Sequence, residues 1–243
     1  MIAVWKRELT SYFMTPIGYV FVGFFLLVSG ILFTFNNLMS GSGDVAAMLS
    51  SFSMIPLFLM PILTMRLFSE ERKNKSEQML LTSPLSLTAI VAGKFLSALT
   101  VWFVTLVGSW LFVLIIASYS VNQYGMSTMY WGEVISAYIG FFLMGGCFIA
   151  VGTLISAMTE NQVSAAVITI GLNFFIWVID SVIYVVPVAF VSTILKWFSL
   201  YERYDPFARA QLGFSGILYF LSFMVVFLFL TIRVIDKRRW SEG

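Results

Sequence analysis

Six long apolar segments set the limits on what this chain can fold into. A helix needs about 20 apolar residues to cross a hydrocarbon layer about 30 Å thick. Six stretches reach this length, roughly 16–35, 45–65, 95–117, 134–158, 161–180 and 210–232. Hydrophobic residues make up 60% of the 243 residues and charged residues 11%, far from the composition of a soluble domain. We therefore expect an all-α integral membrane protein with six transmembrane helices.

Residues 1–14 precede the first span and predict an amphipathic helix in the membrane interface. Ile2, Trp5 and Leu9 recur at helical spacing, whereas Lys6 and Arg7 fall on other faces. A secretory signal peptide is the alternative. The apolar run that follows is longer than the about 7 to 15 residues of a signal-peptide core, which favours the interfacial helix.

The placement of lysine and arginine predicts the orientation of the spans. With Met1 taken as internal, eleven of the fourteen basic residues fall on the inner side, and Lys196, Arg203 and Arg209 fall outside. Cytoplasmic segments carry the excess of Lys and Arg in membrane proteins. Both termini and the loop after the second span are therefore expected to be cytoplasmic, in a multi-pass protein of the cell membrane.

The densest charge in the chain lies in the loop 69–86, directly after the second span. Its charged start, apolar middle and final proline are Glu70, Glu71, Arg72, Met79, Leu80, Leu81 and Pro84. Acidic residues suit a helix start, and proline disfavours helix just before it. The pattern predicts an amphipathic helix from Glu70 to Thr82, with i,i+4 pairs joining Glu71 to Lys75 and Lys73 to Glu77. A solvated loop whose charges only fix topology is the alternative.

Two prolines interrupt the second span. Pro56 and Pro61 each remove a backbone donor and bend a helix, so the span that leads into the charged loop is expected to carry a hinge. A static kink, which is common in membrane helices, is the alternative.

Small residues recur four apart in the fourth span. The pairs are Gly146 with Ala150 and Gly152 with Ser156. They predict close helix packing, against another span of this chain or against a second protomer.

Polar residues near the end of the fifth span are candidates for a transport pathway. Asp180 lies at the predicted outer boundary, and Asn173 lies nearer the middle, where it could form a hydrogen bond across helices. A solvated helix end is the alternative for Asp180. The apolar run after it, 182–197, is too short to span and is broken by Pro187, so residues 182–209 are expected to form an outer re-entrant or interfacial segment.

Composition argues against several classes of function. The chain has no histidine and one cysteine, Cys147, so a metal site or a histidine-based hydrolase is not expected. It has no Gly-rich phosphate-binding sequence, so ATP and Mg²⁺ would have to be bound by another subunit. A net charge of +2 gives no reason to expect a nucleic-acid partner. We predict no catalytic residue in this chain.

The loop and its preceding residues, TMRLFSEERKNKSEQMLLTSPLS, resemble the first cytoplasmic loop of six-span ABC-2 type permeases. The likeness is greatest to the permeases of gliding motility and of nitrous-oxide reductase maturation. KRELTSYFMTPIGYV is similar to their elbow helix and first-span entrance, and YDPFAR with the final span is similar to their C-terminal part. One difference is that Lys75 and Ser76 stand where that family usually has Gly-Thr.

The resemblance implies a function that the residues alone only permit. It implies a non-enzymatic permease, mostly of exporting type, whose loop helix is a coupling helix gripped by a separate ATPase. It also implies two ATPase subunits per complex, a second permease protomer that is identical or related, and an accessory membrane-anchored extracytoplasmic subunit. An intramembrane enzyme lacks the residues it would need. A membrane anchor or scaffold of an envelope complex and a self-contained channel or secondary transporter are the alternatives.

Overall fold

A computed structural model of the chain describes residues 1–74, 85–119, 129–183 and 199–241. Regular structure within these ranges is helical throughout, and no strand is found there. The expected all-α class is therefore confirmed for the described part of the chain.

The helices are numbered here in chain order. They are α1 (Ile2–Met14), α2 (Pro16–Phe33), α3 (Val45–Phe52), α4 (Met54–Thr64), α5 (Ser69–Lys73), α6 (Leu87–Tyr119), α7 (Trp131–Met158), α8 (Gln162–Ile183), α9 (Leu200–Ala208) and α10 (Phe214–Ser241). A π-helical turn, Thr34–Leu38, extends α2. Pro16 begins α2, where its missing N–H has no helical partner to lose.

Five helices, α2, α6, α7, α8 and α10, are long and apolar enough to cross a membrane. The sixth predicted span is broken. Val45–Phe52 and Met54–Lys73 pass the same test only as a pair, bent by 50°. The described chain thus has five straight candidate spans, or six if the bent pair is one span, as expected of a multi-pass membrane protein.

The α7 helix forms the centre of the bundle. It packs against α4, α6, α8, α9 and α10, and most of its side chains are buried. The indole of Trp102 on α6 lies beside Gly145 of α7 and makes an edge contact with the ring of Phe25, with centroids 5.3 Å apart. Because a Cβ at Gly145 would collide with that indole, glycine is required there for α6 and α7 to approach.

Two span boundaries differ from the sequence prediction. The third span was expected to begin near residue 95, but α6 begins at Leu87, since Ile90 and Val91 are buried in the core and extend the packed helix. The last span was expected from residue 210, but α10 begins at Phe214. Ala210 has a φ of 58°, a left-handed conformation that cannot continue a right-handed helix.

The predicted loop helix from Glu70 to Thr82 is also corrected. α5 ends at Lys73, and Asn74 leaves the helical conformation with φ −85° and ψ 2°. The Asn74 N–H bonds back to the carbonyl of Glu70, which closes the single turn. Residues 75–84 lie outside the described part of the chain, as do residues 184–198 of the predicted outer segment.

Candidate functional site

The second span is broken at Ser53, three residues before Pro56. Proline at position 56 cannot donate to the carbonyl of Phe52, and its ring crowds that carbonyl. The break at Ser53 therefore lies within the turn that precedes Pro56. Pro61 lies inside α4 without ending it. The structure thus shows a bend on the N-terminal side of Pro56, and the hinge role of the two prolines stays a prediction.

Side chains from two other helices bind carbonyls in the bent region. The Tyr201 hydroxyl of α9 donates to the carbonyl of Ser53 at 2.7 Å. The Asn173 amide of α8 donates to the carbonyl of Leu57 at 3.4 Å. In a regular helix the N–H of residue 61 would bond to the carbonyl of Leu57, but Pro61 has no N–H. Asn173 therefore supplies the donor that the proline lacks.

At the end of α4 that leads into α5, a side chain of α1 also binds a backbone carbonyl of the broken span. The Leu67 N–H bonds to Thr64 instead of Leu63, and the Tyr12 hydroxyl donates to the Leu63 carbonyl at 2.6 Å. Burial raises the pKa of Tyr12, so the phenol keeps the proton that this bond needs.

Ser156 of α7 binds the connection between α4 and α5. Its hydroxyl donates to the Met65 carbonyl at 3.1 Å and accepts the N–H groups of Phe68 and Ser69 at 3.0 and 3.3 Å. One turn away, Gly152 lies against Thr64, where an added Cβ would collide with the threonine side chain. The predicted small-residue face of the fourth span therefore contacts the second span of the same chain.

The other small residues of that face are also buried within the chain. An added Cβ at Gly146 would lie 2.8 Å from the sulfur of Met224 on α10, and Ala150 is fully buried. No second protomer is needed to explain these four residues.

A four-charge cluster, formed by Arg7, Glu8, Glu71 and Lys94, joins α1, α5 and α6. The Lys94 ammonium lies 3.1 Å from the Glu8 carboxylate and 3.0 Å from the Glu71 carboxylate, and it donates to the Leu67 carbonyl at 2.6 Å. The Arg7 guanidinium bridges the same two carboxylates at 2.6 and 2.7 Å. Lys94 is 1% exposed. The cluster therefore fixes the start of the charged loop to the interfacial helix.

The electrostatics of the four-charge cluster favour the ionised form of Glu8. Burial alone would raise the pKa of Glu8, but the charge of Lys94 and the hydrogen bond from Arg7 outweigh it, and the pKa of Glu8 is lowered from its ordinary 4.5.

The remaining charges at the start of the loop also have partners within the chain. Arg66 contacts Glu70 at 3.1 Å and donates to the hydroxyls of Ser11 on α1 and of Thr15, the residue between α1 and α2. Arg72 forms an ion pair with Glu160 at 2.5 Å, in the turn between α7 and α8. The described structure therefore pairs Glu70, Glu71 and Arg72 with other charged residues of the same chain, and their binding to a partner stays a prediction.

The sequence reasoning missed three of the residues that hold this site. Glu8 was not singled out, Lys94 was counted only as an inner-side charge, and Tyr201 was placed in an outer turn. A charge followed by a 25-residue apolar run was the one available signal for Lys94. The other predicted loop residues, Met79, Leu80, Leu81 and Pro84, lie outside the described part of the chain, as does the side chain of Asp180.

Asn173 is fully buried in the bundle. It lies against α4 and not on an open surface, so the described structure brings it to the broken span. Among the described residues, no group of three His, Cys, Asp or Glu side chains could hold a metal ion.

Comparison with known protein families assigns the chain. A sequence model with the description ABC-2 family transporter protein matches residues 52–235, which is more than half of the chain and runs from the break in the second span into the last helix. Comparison with curated proteins gives no match. Together with the membrane-spanning helices, the match shows that this protein is a membrane-embedded permease of the ABC transporter type and belongs to the ABC-2 transporter family.

Proposed function

We propose that this chain is the transmembrane permease subunit of an exporter and that a separate ABC ATPase drives it through the loop 69–86. ATP and Mg²⁺ bind to the ATPase, and this chain supplies the conduit and no catalytic residue. The family membership supports the permease role, and the sequence of the loop supports its use as a coupling element.

One observation carries the proposal. The loop begins as a direct continuation of a broken span, and five side chains from five other helices bind the carbonyls of that span and its end. They are Tyr12, Lys94, Ser156, Asn173 and Tyr201. A displacement of α5 therefore has to act on α1, α6, α7, α8 and α9, which is what a mechanical input to a transporter requires.

The start of the loop, α5, and the interfacial helix lie at one end of the bundle, together with the turn between α7 and α8. The ion pairs of Glu71 with Arg7 and of Arg72 with Glu160 bring these three segments together. We assign this end to the cytoplasm because the basic residues concentrate there. Both termini are then cytoplasmic, and the protein is in the cell membrane.

The proposed assembly contains two copies of a permease, identical or related, and two ATPase subunits. Its subtype is that of the gliding-motility and nitrous-oxide reductase maturation permeases, with an accessory membrane-anchored extracytoplasmic subunit. The α9 helix, which contacts the broken span through Tyr201, is proposed to contribute to the outer surface that binds that subunit.

The loop residues Met79, Leu80 and Leu81 are proposed to bind the ATPase directly. Burying three large apolar side chains in a partner contributes about 1.5 to 3 kcal/mol each. The charged residues before them bind the bundle and so fix the start of the loop, from which these apolar residues follow in the sequence.

The test is a pull-down of the ATPase from detergent extracts with the tagged chain. We expect the double change Leu80→Asp with Leu81→Asp to abolish ATPase recovery, while Lys75→Ala, in the same loop, leaves it near the wild-type level. Membrane insertion of each variant is checked in parallel. Full recovery of the ATPase with the double variant would remove the loop from the mechanism and favour a membrane scaffold.

A further inference from the structure

We propose that Lys94 is a positioning residue that makes α1 and α5 move as one unit, so that a push on the loop reaches the interfacial helix and the third span together. This inference rests on the proposed coupling role of the loop, which it deepens by naming the residue that passes the motion on.

The ammonium of Lys94 has its full set of partners. A lysine ammonium has three N–H donors, and three oxygens lie within hydrogen-bond distance, from Glu8, Glu71 and Leu67. These oxygens belong to α1, to α5 and to the connection before α5. The ring of Phe68 lies 5.1 Å from the same nitrogen and covers it. One buried charge on α6 thus joins α1 to α5 and to the connection before α5.

Separation of α1 from α5 would break this arrangement. Either the Glu8 or the Glu71 carboxylate would leave a lysine that is 1% exposed, and a buried charge that loses its partner is strongly unfavourable. Arg7 opposes the same separation because it bridges both carboxylates, although its side chain is 54% exposed and solvent weakens that contribution. Movement of the two helices together avoids this cost.

The α1 helix is in turn packed directly on α6 beside Lys94. Gly93 lies under α1, where an added Cβ would be 3.0 Å from the Cβ of Val4 and from the carbonyl of Met1. The Trp5 indole N–H donates to the Thr100 hydroxyl at 3.0 Å, two turns further along α6. A force on α5 therefore acts on the first turns of the third span.

The test measures the distance between α1 and α5 by spin labels in the complex with its ATPase, in lipid nanodiscs, with and without ATP. Thr10→Cys and Asn74→Cys place the labels on exposed positions of the two elements. The native Cys147 is buried and is shielded from labelling. In the otherwise unaltered chain we expect one narrow distribution of distances, whose mean ATP does not change.

Lys94→Met should make the distribution about twice as wide and make its mean depend on ATP, because the two helices then move separately. Lys73→Met is the matched control, since it removes an exposed lysine from α5 and should leave the distance as in the unaltered chain. If Lys94→Met does not fold, Glu8→Gln serves instead, with a smaller broadening. A narrow, ATP-independent distance in these variants, or an ATP-dependent distance with Lys94 intact, overturns the proposal.

The same labels in the chain without ATPase separate this inference from the proposed function. If Lys94→Met broadens the distribution of label distances in the isolated chain, the proposed link between α1 and α5 is supported even if no ATPase binds. Recovery of the ATPase with an unbroadened Lys94→Met variant would instead leave the proposed function standing and refute the role of Lys94.

Discussion

The side-chain amide of Asn173 in the fifth span donates a hydrogen bond to the backbone carbonyl of Leu57 in the second span, at 3.4 Å. The helical donor for that carbonyl would be the N–H of residue 61, which is proline. An asparagine in one helix thus compensates a proline in another. Membrane helices tolerate proline where neighbouring groups satisfy the freed carbonyl, and Asn173 has that role here.

The effects of changing these two residues should therefore be coupled. Asn173→Leu should lower the free energy of unfolding by about 0.5 to 1.5 kcal/mol, because the Leu57 carbonyl loses its donor in a buried site. In a Pro61→Ala background the backbone N–H returns, and the same change should cost less. Unfolding of the purified chain in mixed detergent measures the four free energies of this cycle. Equal costs in both backgrounds would contradict the compensation.

Only part of the structure of the second span could be predicted from the sequence. Its apolar length and its two prolines were visible, and so was the chance that Asn173 would bond across helices. The break at Ser53 and the identity of Leu57 as the acceptor were not visible, because they depend on how α8 and α9 pack on α4. Tertiary contacts choose which carbonyl near a proline is satisfied and by which side chain.

The Tyr12 hydroxyl provides a second test of the restrained span. Tyr12→Phe removes the bond to the Leu63 carbonyl and leaves that buried acceptor without this donor, so it should destabilise the chain by about 1 kcal/mol. Tyr19→Phe is the control, because Tyr19 is 63% exposed. Thermal unfolding of both variants in the same detergent gives the comparison. An equal effect of the two changes would show that the Tyr12 bond contributes nothing.

Acid should weaken the four-charge cluster through Glu8. The pKa of Glu8 is lowered in the folded chain, so the stability that its charge contributes is present above its ordinary pKa of 4.5 and is lost as the pH falls through the folded value. Glu8→Gln lacks this contribution at every pH. The stability difference between the two proteins should therefore be greatest near pH 7 and shrink below about pH 4.5.

Thermal unfolding of both proteins between about pH 7 and pH 4 measures this difference. The two proteins differ only at position 8, so the change of this difference with pH reports on that side chain. A difference that stays constant over the whole range would mean that Glu8 contributes through shape alone.

The four-charge cluster was beyond sequence reasoning for a physical reason. Lys94 was read as a charge at the inner end of a span, and Glu8 received no role. Lys94 and Glu8 are 86 residues apart along the chain, so no local spacing in the sequence connects them. The i,i+4 pattern of the loop predicts that Glu71 pairs with Lys75, which lies outside the described residues, but it gives no indication of the distant partners Arg7 and Lys94 that lie beside Glu71. Long-range ion pairs need the packed bundle before they can be identified.

The orientation of the chain can be measured by cysteine labelling in intact cells. A cysteine at Ser42, between α2 and α3, or at Asn122 should react with a membrane-impermeant reagent from outside. A cysteine at Asn74, which is exposed at the end of α5, should react only after the membrane is opened. The charge asymmetry is the physical basis of this expectation. Labelling of position 74 in intact cells would reverse the assigned topology.

The most direct test of the central claim is the subunit composition of the complex that the tagged, unaltered chain brings from its native membranes. Native mass spectrometry of the gently solubilised complex gives the number of each subunit. A permease of the proposed type should appear with an ABC ATPase in equal numbers, two copies of each. Recovery of this chain as a stable membrane protein with no ATPase would contradict the account.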